Sequence, residues 1–215
     1  MQKYLRLAAT AVVIAVLVVI AVHVYGETRA TEAQTFDASV HMVQQQTNRM
    51  GASVAATHSV VEQDIRDIQA LPELVAEWIP RYAEAQDAYR RFDAAIVLAE
   101  DQARGYFAAQ SALTDRFNDL QQKAAARRQD EADQQLYRVW RQRAHETRDN
   151  ARRILLRLED MDTTLRKLEL TSEFVFDATR FSDMPAALTD LEGELEQFEE
   201  ATANIRTITR SPFAE

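Results

Sequence analysis

The chain has 215 residues, 25 of them basic and 34 acidic, for a net charge of −9, and it has no cysteine. An acidic balance argues against nucleic acid as the main partner, because that role needs a basic face. The missing thiols exclude disulfides, thiolate metal sites and a lipid-modified cysteine.

From Leu7 to Tyr25 the chain reads LAATAVVIAVLVVIAVHVY, and no charged residue lies between Arg6 and Glu27. At about 1.5 Å per residue this stretch reaches roughly 28 Å, the hydrocarbon thickness of a bilayer. Tyr4 and Tyr25 stand where interfacial aromatics belong, and Lys3 and Arg6 lie on the short side. The expectation is a cytoplasmic N-terminus over 1–6, one transmembrane helix over 7–25, and a remainder facing the periplasm from the inner membrane. A cleaved signal peptide is the alternative, since Val24-Tyr25-Gly26 offers a tolerable cut site. The apolar core from Leu7 to Val22 has 16 residues, longer than the usual ~7–15 of a signal peptide. Beyond the span, 23 basic residues face 34 acidic ones, which also argues against an anionic lipid surface as the main partner.

Glycine and proline number four each, so few breakers interrupt a chain rich in helix formers. Residues 26–35 read as a stalk. Phe36, Val40, Val43, Thr47, Met50, Val54, His58, Val61, Ile65 and Ile68 then alternate by three and four, with one stutter at Val54–His58. This predicts a first helix over about 27–71. Pro72 and Pro80 bracket an apolar turn that reads as a helix–helix corner, with Trp78 capping the core.

A second seam runs Tyr82, Ala85, Tyr89, Phe92, Ile96, Ala99, Ala103, Tyr106, Gln110, Leu113, Phe117, Leu120, Ala124, predicting a helix over about 80–127. Gln110 is its one polar member. It reads as an edge residue with its amide in water, or as a buried polar group that fixes register. The seam fails over Lys123–Gln135, so a turn is expected near Arg128–Asp130, with Asp130 as N-cap. One continuous helix from Pro80 to Ala178 is the alternative, since no Gly or Pro stops it.

The third seam, Tyr137, Trp140, Ala144, Thr147, Ala151, Ile154, Leu158, Met161, Leu165, Leu168, Ser172 and Val175, predicts a helix over about 131–178. Pro185 in a first turn opens a shorter helix over about 184–209, carrying Leu188, Leu191, Leu195, Phe198, Thr202, Ile205 and Ile208. Residues 211–215 form a tail. The expected fold is all-α: a transmembrane helix, then over 36–210 an elongated antiparallel coiled-coil bundle of three long helices and a shorter fourth. The fourth helix covers only half of the bundle.

The charges suggest neighbours. Between Arg138 and Lys167 nine basic residues face five acidic ones, whereas Asp183 and the fourth helix together carry seven acidic residues against Arg206. Arg148 and Arg152 on the third helix and Glu192, Glu196 and Glu199 on the fourth are the candidate partner-selecting charges. The alternative is that Asp190–Glu200 binds a cation or a basic partner. His58, on the first seam at the stutter, is a candidate pH-sensitive core position, and His145 with Asp149 reads as a surface pair. No residue three before any of the four histidines is Glu, so a bundle diiron site is not encoded. No catalytic or nucleotide-binding motif occurs either, and no cofactor or metal is expected.

One anchor followed by a long helical domain resembles the plan of LemA-like bacterial envelope proteins. The segment Leu191-Glu192-Gly193-Glu194-Leu195 looks like one in another family of helical envelope proteins of unknown function. The Arg/Asn-rich signatures associated with LemA-like proteins are absent. The resemblance implies a location and a bundle, and no functional residue. The expected function is a non-enzymatic, membrane-anchored interaction or scaffold protein, with a protein partner or a second copy on its coiled-coil surface. The alternative is an extracytoplasmic sensor or ligand-binding bundle acting with another membrane subunit.

Overall fold

A computed structural model describes residues 31–60, 71–170 and 183–209, and every element among them is helical. Helix α1 covers 31–60, α2 Leu71–Thr114, α3 Leu120–Leu170 and α4 Met184–Thr209. No described helix is long and apolar enough to cross a membrane. The apolar stretch 7–25 and the stalk up to residue 30 lie outside the described residues. So do residues 61–70 and 171–182, where the first and third helices were expected to continue, and 210–215, which hold the expected tail.

The seams become the core. Phe36, Val40, Val43, Thr47, Met50, Val54 and His58 of α1 are buried, and so are Trp140, Ala144, Thr147, Ala151, Ile154, Leu158, Met161 and Leu165 of α3. From α4, Leu191, Phe198, Thr202 and Ile205 are buried, while Leu188, Leu195 and Ile208 are half-buried. Aromatic rings tie all four helices together. Phe36 packs on Tyr106 and Phe107 of α2 and on Tyr137 of α3, with centroids 5.6, 6.3 and 6.2 Å away. Phe198 of α4 meets Trp140 at 6.0 Å and Phe92 at 6.2 Å. Trp140 also donates its indole N–H to Thr202 at 3.2 Å, so its one polar atom is satisfied inside the core.

These contacts fix the topology. Thr57 donates to the carbonyl of Arg81 while Phe36 meets Tyr106, so α1 and α2 are antiparallel. Trp78 reaches Asp162 and Gln110 reaches Asp133, so α2 and α3 are antiparallel. Arg157 pairs with Asp183 and Trp140 with Thr202, so α3 and α4 are antiparallel. Gln44 reaches Glu199 and Arg206 reaches Asp37, which closes the ring between α4 and α1. The result is an up–down–up–down bundle in the cyclic order α1–α2–α3–α4. At 26 residues against 51, α4 is about half as long as α3.

Three boundaries differ from the sequence reading. The Pro72–Pro80 segment is no corner: α2 runs through it, with Pro80 inside. An internal proline costs about 3 kcal/mol. Leu74, Val75, Trp78 and Tyr82 on either side are all buried, and each contributes about 1.5–3 kcal/mol, so packing wins. The α2–α3 turn lies at 115–119 rather than near Arg128–Asp130. Asp119 is the N-cap, its Oδ1 accepting the N–H groups of Gln121 and Gln122 at 2.8 and 2.9 Å. The turn also settles the hairpin against one continuous helix. Phe117 and Leu120, expected on the second seam, are 43% and 83% exposed.

Candidate functional site

Among the described residues, open grooves lie on two faces of the bundle. The first, about 330 Å³, runs between α2 and α3 and is lined by Tyr82, Gln86, Tyr89, Arg90, Arg152, Leu155, Leu156 and Glu159. Its floor is rigid. Trp78, fully buried, stacks on Tyr82 with centroids 5.9 Å apart, and its indole N–H donates to Asp162 at 3.0 Å. Asp162 in turn accepts from Arg166 at 2.8 Å. Gln86 donates to the Tyr82 hydroxyl at 2.7 Å. Burial, then the charge of Glu159, pushes the Tyr82 phenol up; burial, then Asp93, does the same for Tyr89. Both phenols are therefore neutral walls that can hydrogen-bond. Leu156 stands 54% exposed at the rim, and Arg90, Arg152 and Glu159 flank the apolar strip. The surface suits an amphipathic segment with an acidic flank.

The second groove, about 360 Å³, lies between α1 and α4 and is lined by Asn48, Gly51, Ala52, Ala55, Leu188, Leu191, Glu192 and Leu195. A β-carbon on Gly51 would come within 2.8 Å of Leu195 Cδ1, so the two helices approach closely there. Small residues on α1 leave this groove open, and it carries fewer polar anchors than the first.

The nominated charges fall in different places. Arg148 faces Asp93 of α2 at 3.7 Å and its neighbour Asp149 at 3.6 Å. Arg152 lines the α2–α3 groove. Glu199 accepts from Gln44 of α1 at 3.4 Å. Glu192 borders the α1–α4 groove and Glu196 is exposed. None of the five joins α3 to α4 among the described residues. That interface has other polar contacts: the Arg157–Asp183 pair, and Glu194, whose carboxyl is pulled down by Asn150 and Arg153. His58 is buried, as its place on the seam requires.

The structure decides between the two readings of Gln110 and re-pairs His145. Gln110 is no edge residue. It is buried, and its amide donates to Asp133 Oδ2 at 2.7 Å, while Gln129 donates to Asp133 Oδ1 at 2.7 Å. His145 turns away from Asp149 to meet Glu100 of α2 at 2.8 Å, beside Arg141 at 2.7 Å. Burial pushes the Glu100 carboxyl up, but hydrogen bonds from His145 and Arg141 outweigh it and hold it below its ordinary value.

No signal marked the α2–α3 groove in the sequence, because Tyr82 and Tyr89 read as members of the second seam. Among the described residues, no three His, Asp or Glu side chains converge as a metal site. No family model, curated protein or solved structure matches the chain.

Proposed function

We propose that this chain is a membrane-anchored, periplasm-facing helical-bundle protein of the bacterial envelope, without catalytic activity, that holds a protein partner against its α2–α3 face. The observation that carries the reading is the open groove, where a strip of Tyr89, Leu155 and Leu156 lies between Arg90, Arg152 and Glu159. Trp78 stacks behind Tyr82 of the lining and bonds Asp162, which supports a site already formed before a partner arrives. The apolar stretch 7–25, with Lys3 and Arg6 before it, supports the anchor and the orientation.

The test is a photo-cross-linking residue placed at Leu156, and separately at Met42, which is 44% exposed on α1. The expected result is a defined adduct in membranes from Leu156 only, lost when Arg152→Glu is added. No adduct, or the same adducts from both positions, contradicts the proposal. A multi-degree thermal shift of the protein with a small molecule, abolished by Arg152→Glu, would favour a ligand-binding sensor instead.

A further inference from the structure

We propose that the tip of the α2–α3 hairpin, Asp115–Leu120, is a second contact with the lipid surface, so that the bundle stands on the membrane at two points. The inference rests on the anchor reading of 7–25.

The tip presents large apolar side chains to solvent. Phe117 is 43% and Leu120 83% exposed, and they are three residues apart at the apex of two long helices. Two side chains on a narrow apex are far less than the ~800 Å² per partner of a stable protein interface. A bilayer interface accepts such an isolated pair, because apolar side chains there leave water without needing a shaped counterpart.

Distance brings the tip to the membrane. The described part of α1 begins at residue 31. The Glu32 carboxylate lies so close to Gly105 that a β-carbon there would meet it at 2.7 Å. From Gly105 to the end of α2 at Thr114 is nine residues, so the hairpin extends roughly 14 Å past the start of α1 at 1.5 Å per residue. Six Cα–Cα steps separate Tyr25 from residue 31. At ~3.3–3.6 Å each, Tyr25 lies within about 20 Å of that same point, whatever path they take. The tip and the outer boundary of the apolar stretch therefore fall within one reach of the same end of the bundle.

Charge agrees locally. The chain is acidic as a whole, yet Asp115–Arg128 carries Arg116, Lys123, Arg127 and Arg128 against Asp115 and Asp119. Lys123 and Arg127 converge on Asp115 at 3.3 and 3.2 Å, which holds two cations beside the apex. Basic residues flanking a shallow apolar contact are suited to lipid phosphates.

The chain has no native cysteine, so single labels are clean. Leu120→Cys, Phe117→Cys, Val97→Cys and Ile14→Cys are each made in the full chain and labelled with a polarity-sensitive fluorophore. Each is then reconstituted in vesicles of phosphatidylethanolamine and phosphatidylglycerol that carry nitroxide-labelled lipid. Val97, 55% exposed in the middle of α2, is the control in water. The expected result is blue-shifted emission and nitroxide quenching at residues 14, 117 and 120, with neither at 97. Quenching at residue 14 alone overturns the hairpin contact and leaves the anchor standing. A blue shift at 117 and 120 without quenching means that protein covers the tip, which also overturns it. No quenching at residue 14 removes the anchor, and this inference falls with it.

Discussion

Glu194 is the carboxylate least at ease in the bundle. Its Oε2 is buried without a hydrogen-bond partner. Burial pushes its pKa up, Asn150 and Arg153 pull it down, and Glu146 and Asp190 push it up again; the net direction is upward. A carboxyl whose pKa is higher folded than unfolded contributes stability that is present at low pH and lost as pH rises through the folded value. At neutral pH the ionised form therefore works against the docking of α4. Glu194→Gln should raise stability at pH 7 by up to about 1 kcal/mol, a ceiling set by solvent screening. The gain should vanish in acid, as thermal melts across pH will show; an equal gain at every pH would mean that charge is not the cause. At this scale the sequence marked Gln110 as the one polar residue of its seam. It did not reveal Asp133 as its partner. Phe117, Leu120 and Ala124 keep the three–four spacing through the turn, so the seam reads on past the true end of α2 and displaces Asp133 from its true register.

Single positions sum into helices, and α4 shows which of them matter. Leu191 and Phe198 are buried, whereas Leu195 is half-buried against Gly51. Packing at the first two holds α4 to the bundle, since the Arg157–Asp183 pair to α3 is exposed and screened by solvent. Gly193 sits inside α4, and a β-carbon there would meet nothing within 4 Å. Gly193→Ala should therefore stabilise the protein by about 1 kcal/mol, the helix-propensity difference, read as a higher midpoint in urea. A lower midpoint would mean that something covers that face. The bounds of α4 were legible because Pro185 and the Leu/Phe spacing agree. Those of α2 were not, because Pro80 signals a break and burial of Trp78 and Tyr82 overrides it.

Across the whole molecule, periodicity announced a bundle of long helices, and the four helices ring one continuous core. Their cyclic order was not legible, since a seam says that a face is buried and not against which helix. The α2–α3 groove follows from that order, because it is a property of two faces together. Whether the bundle stands outside the membrane on its own anchor is the claim on which its function turns. Val97→Cys, exposed on α2, tests it through labelling of intact spheroplasts with a membrane-impermeant maleimide, followed by an alkaline wash of the membranes. The account predicts labelled protein in the washed membrane pellet without lysis. Label only after lysis, or labelled protein in the wash, would contradict it.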